Sequence, residues 1–124
     1  MVIRSTAKEA DISGSPSELR RLSTEIARIA TGEVLTFEAD AAASPSPYDA
    51  TLTHFDVMAS DGPVKVTASG SRLQACGSPQ MLHKFASFFD FADGTAAGTH
   101  NHYDWFEGNP FVSCNSTPLV IRVA

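Results

Sequence analysis

Apolar residues recur along this chain with two different periods, and the switches between them mark out its elements. Leu19, Leu22, Ile26 and Ile29 are spaced by three, four and three, a stripe that predicts an amphipathic helix. Ser15-Pro16-Ser17-Glu18 supplies its start: an N-cap serine, a proline at the first helical position and a glutamate placed for a capping box. Gly32, after Thr31, is expected to close it. From residue 53 the period becomes two. Thr53, Phe55, Val57 and Ala59 alternate with His54, Asp56 and Met58; Val64, Val66 and Ala68 alternate with Lys65, Thr67 and Ser69; Leu73, Ala75 and Gly77 continue the pattern. With turns at Asp61-Gly62-Pro63 and Gly70-Ser71, these read as three strands of an antiparallel meander.

A further strand is expected over Glu33 to Glu38, followed by the loop Ala41 to Pro47. A second helix starts at Ser78-Pro79, with Met81, Leu82, Phe85, Phe88 and Phe89 on its apolar face and Asp93-Gly94 ending the region. Strands around His100 to Trp105 and Leu119 to Val123 follow, and Ala10 to Ser13 adds an edge strand near the start. The order predicts an α+β fold: one antiparallel sheet of about six strands with two helices packed on one face.

At 124 residues the chain fits one domain, 1–124, long enough for a core without disulfide or metal staples. Its formal net charge is −5, and Arg20-Arg21 is the only adjacent basic pair, read as solvated helix surface. That scatter argues against nucleic-acid binding, which needs a clustered cationic footprint. No apolar run reaches the roughly 20 residues of a membrane span, and no signal-peptide core is seen, so the expected location is the cytoplasm. Cys76 and Cys114 lack metal-type spacing and are read as a buried thiol and a loop thiol.

The candidate chemistry is concentrated near the end. His100, His102, Asp104 and Glu107 crowd one short stretch that also holds the single tryptophan. On a strand, His100, His102 and Asp104 share one face, while Tyr103 and Trp105 point to the core. Three readings stay open. The face is a solvated polar patch, a partner-binding surface, or the metal site of a small metal-binding module or metal-dependent enzyme, in which His100, His102 and Asp104 (or Glu107) hold zinc or another divalent transition metal. His54 and Asp56, on the matching face of an earlier strand, would extend the surface as cross-strand neighbours. His83 reads as a structural helix histidine. No nucleophile elbow, P-loop, His-Glu-x-x-His helix or dinucleotide glycine fingerprint is present, so no catalytic residue is assigned.

The string His100-Asn-His102-Tyr103-Asp104, then Glu107-Gly108-Asn109-Pro110, then Ser116-Thr117-Pro118-Leu119-Val120-Ile121 resembles the end pattern of the immunity protein 32 family. Ile12-Ser13-Gly14 leading into Leu19 and Leu22, and Leu73 to Ser78, resemble its earlier elements. The resemblance implies a small bacterial protein without catalytic activity or cofactor that binds and neutralises a cognate polymorphic toxin. The residues expected to meet that partner are His100, His102, Asp104 and Glu107, with His54 and Asp56.

Overall fold

The chain opens with two antiparallel strands, β1 (Val2–Ser5) and β2 (Ala10–Gly14), joined by a turn in which Thr6 Oγ1 accepts from the amides of Lys8 and Glu9. Helix α1 (Pro16–Ala27) follows at once, because Ser15 and Glu18 form the reciprocal capping box and Pro16 opens the first turn. Its stripe of Leu19, Leu22 and Ile26 is buried, and Ile29 just beyond extends it. The helix stops with Arg28 as its C-cap; Gly32, at φ +84°, serves a later turn rather than the helix end. The computed structural model describes residues 1–124.

Then come β3 (Val34–Glu38), β4 (Ala50–Leu52), β5 (His54–Ala59), β6 (Lys65–Ser69) and β7 (Arg72–Gly77). Helix α2 (Pro79–Ala86), capped by Ser78, continues as a 3-10 turn over Ser87–Phe89. Strands β8 (His100–Tyr103) and β9 (Leu119–Val123) complete the fold. The molecule is α+β, as the periodicity predicts, but its nine strands form two sheets rather than one. The first has the order β4-β1-β2-β9-β8 and the second β3-β5-β7-β6.

Three sequence expectations are corrected. The Ala10–Ser13 segment is not an edge: β9 returns parallel to it, so β2 is the middle strand of the first sheet and every residue of it is buried. The meander is also absent. Strand β7 lies parallel to β5, and β6 lies outside β7. The 60–64 connection crosses the end of β7, with Ser60 N donating to Gly77 O and Ser78 N to Gly62 O, and those bonds require β7 beside β5. Finally, the sheets are mixed rather than antiparallel, each carrying one parallel pair.

Each parallel pair is clamped on its outer face by a buried aspartate and an arginine. Asp56 on β5 accepts from Arg72 Nε at 2.7 Å and Nη2 at 2.8 Å, and from Thr36 Oγ1 at 2.8 Å. Asp11 on β2 accepts from Arg122 Nε at 3.1 Å on β9. On the inner faces, both sheets and both helices share one core. Phe55 of the second sheet meets Phe85 and Phe89, and Phe85 meets Tyr103 of the first. No helix is long and apolar enough to cross a membrane.

Candidate protein-binding surface

Strand β8 is the last strand of the first sheet and has a neighbour, β9, on one side alone. Val123 N donates to Thr99 O, so by the two-residue period the main-chain groups of Thr99, Asn101 and Tyr103 face β9. Those of His100 and His102 point outward along a free edge. Both histidine side chains are exposed, their rings 5.0 Å apart and close to perpendicular, and His100 Nδ1 lies 2.9 Å from Gly98 O.

The strand ends at Tyr103, which the helix aromatics hold: Phe85 and Phe88 both meet its ring edge-on, and burial pushes its phenol well above the usual range. Asn101 Nδ2 donates to Phe88 O on the same side. Beyond Tyr103 the alternation is lost, which corrects two expectations. Trp105 does not face the core; it is 43% exposed. Asp104 does not complete a ligand set with the histidines: no cluster of three or more histidine, cysteine, aspartate or glutamate side chains is placed to hold a metal ion. Instead Asp104 Oδ1 is sealed from solvent without a hydrogen-bond partner. Glu107 is exposed in the following turn.

That turn belongs to an ordered loop. Asn109 fixes it from within, its Nδ2 reaching Asp104 O at 3.3 Å and its Oδ1 accepting from Phe111 N at 3.0 Å. The next stretch runs along β6 of the second sheet, with Val64 N donating to Phe111 O, Ser113 N to Val64 O and Thr117 N to Val66 O. The loop thereby presents three aromatic side chains to solvent: Phe106 is 65% exposed and Phe111 40%, beside Trp105. Phe106 and Phe111, with Phe88, His102, Tyr103 and Asp104, wall a cavity of about 170 Å³, and Lys84 Nζ lies 5.6 Å from the Phe111 ring centre. A free strand edge, exposed histidines and exposed aromatics on a pinned loop can bind another macromolecule's surface.

His54 and Asp56 do not extend this surface. They lie on β5 in the second sheet, whereas His100 and His102 lie on the first. Asp56 is buried and committed to Arg72, whose hydrogen bonds hold its carboxyl down at about 2; His54 Nδ1 lies 2.7 Å from Thr53 Oγ1. The true cross-strand neighbours of the histidine pair are Arg122, opposite His100, and Val120, opposite His102. Through Arg122 the pair adjoins Asp11 and Tyr48, whose phenol is raised first by burial and then by the Asp11 charge. Sequence reasoning missed Asp11 and Arg122. The signal was there: each is a lone charge interrupting an apolar strand, in Ala10-Asp11-Ile12 and Ile121-Arg122-Val123.

Elsewhere, His83 is exposed on α2 rather than structural, and of the Arg20-Arg21 pair only Arg21 is solvated. Arg20 donates to Phe91 O at 2.9 Å and pairs with Asp93 at 2.6 Å. Cys76 is half-buried and Cys114 exposed, both free thiols, with burial raising the Cys76 pKa. Compared with protein-family models, curated proteins and solved structures, the chain matches none.

Proposed function

We propose that this chain is a non-catalytic bacterial immunity protein that binds a cognate toxin domain through β8 and the loop after it. The observation that carries the reading is the exposure of Trp105, Phe106 and Phe111, by 43%, 65% and 40%, on one loop held by its own hydrogen bonds. Rigid exposed aromatics lose little conformational entropy on binding and are enriched among the residues that dominate interface energies. His100, His102 and Glu107 form the polar rim around them. Asp104 is a support for the loop more than a contact, since one of its oxygens is sealed inside. The family resemblance of residues 100–121 supplies the class of partner, and the net charge of −5 suits a basic one.

The test is complex formation with the purified product of the toxin gene that this reading places next to the gene for this chain. A stable one-to-one complex is expected. Phe106→Ala and Trp105→Ala should each weaken it by roughly tenfold or more, while Glu107→Lys acts through the rim and shows a salt-dependent loss. A complex indifferent to all three substitutions would place the contact elsewhere. No complex with that product would remove the toxin reading.

A further inference from the structure

The cavity bordered by Tyr103 of β8 and the loop after it combines aromatic walls with an unpaired acid. It measures about 170 Å³, and four of the residues around it are aromatic: Phe88, Tyr103, Phe106 and Phe111. Cofactors and drug-sized ligands fill roughly 300–1,000 Å³, so this space suits a single amino-acid side chain. The face of an aromatic ring carries negative charge density and attracts a cation more than a neutral group of the same shape. One wall already has a cation beside it. The Lys84 ammonium lies 5.6 Å from the centre of the Phe111 ring, and no carboxylate pairs with it.

Asp104 stands in the wall of the same cavity. It pairs with no basic side chain, and its Oδ1 is sealed from water without a donor. A charge that neither water nor a partner compensates acts strongly over a few ångströms. Lys84 carries the opposite charge, but it is exposed, so water and salt screen it more than they screen the half-buried Asp104. The balance inside the cavity is therefore negative. Asp104 supplies that sign from the wall, and the rings make the contact.

We infer that this cavity receives one arginine side chain of the partner protein, an inference that rests on the binding surface proposed above. Guanidinium is flat and stacks on aromatic faces. It is also more weakly hydrated than an ammonium, so it gives up less on entering an aromatic-walled space. Lys84, on the exposed side of α2, yields its place over Phe111 as the arginine enters.

The experiment is a titration of the chain alone with methylguanidinium and with methylurea, a neutral molecule of nearly the same shape. Binding is followed through the ring signals of Phe106 and Phe111 in nuclear magnetic resonance spectra. No toxin is present, so a failure here leaves the toxin complex standing, and a missing toxin complex leaves this result standing. Methylguanidinium should bind at least roughly tenfold more tightly than methylurea. Asp104→Asn keeps the shape and removes the charge, and should weaken methylguanidinium by roughly tenfold. Lys84→Met removes the competing cation and should strengthen it several-fold. Should Asp104→Asn unsettle the loop, Lys84→Met on the exposed helix face still decides. The inference is overturned by methylurea binding as well as methylguanidinium, by a Lys84→Met variant that binds methylguanidinium more weakly, or by ring signals that respond to neither probe.

Discussion

Asp56 sits in the middle of a strand, where a charge is costly unless it is fully paired. Arg72 supplies a two-pronged partner and Thr36 a third donor, and together they hold the carboxyl at about 2, against an ordinary 3.8. Because the folded value lies below the unfolded one, the stabilisation is complete above about pH 4 and is lost as pH falls through about 2. It is on the order of 2 kcal/mol. Asp56→Asn should therefore lower unfolding free energy by roughly that amount at neutral pH and flatten the acid limb between about pH 4 and 2. Denaturant titrations across that range check it; a variant as acid-sensitive as the parent would contradict it. Gly77 gives a steric counterpart. A Cβ there would lie 2.9 Å from Val64 Cγ2 and 3.1 Å from Val64 Cα, so Val64, held by its backbone bonds to Phe111 and Ser113, would have to shift. Gly77→Ala should cost roughly 1–3 kcal/mol, read as a lower melting temperature.

At the scale of elements, local signals were legible wherever one residue type had one physical consequence. The serine-proline starts of both helices, the stripe of Leu19, Leu22 and Ile26, and the inward set Phe55, Val57 and Ala59 all follow from the sequence. Pairing was not legible, because alternation sets which face is buried but says nothing about which strand lies alongside. The parallel partners of β2 and β5 depend on connections that cross strand ends, and those leave no periodic trace. Strand ends were equally hidden: β8 stops at Tyr103 because Phe85 and Phe88 hold that ring, and the next residues leave the ladder, so Trp105 is exposed. The loop that follows owes its shape to Asn109. Asn109→Ala removes both of its side-chain bonds, so amide exchange should speed up locally at Phe111 while the global unfolding free energy falls by no more than about 1 kcal/mol. Exchange that stays slow there would mean the loop is held by its contacts to β6 alone.

For the whole molecule, two mixed sheets share one core with two helices, and β4 and β8 of the first sheet and β3 of the second each have a strand neighbour on one side alone. The β8 edge leads into the exposed aromatics. The sequence singled out the segment His100 to Glu107, which runs along the β8 edge and into the loop beyond it, but joined it to His54 and Asp56, which the two-sheet architecture places on the other sheet. The metal reading weakens for the same geometric reason. No third ligand is placed with the two exposed histidines, and a closed zinc site needs about four. Zinc at micromolar concentration should leave the melting temperature unchanged; a rise that His100→Ala and His102→Ala both abolish would restore that reading.

The proposed protection against a toxin runs through the aromatic loop beside β8. The most direct measurement is survival of cells expressing the neighbouring toxin gene together with either the parent chain or the Trp105→Ala/Phe106→Ala double variant. Both residues are exposed, so the variant should melt with the parent. The parent chain is expected to rescue growth and the folded double variant is not. Equal rescue by both would show that protection does not run through this loop, and killing that neither relieves would contradict the immunity function itself.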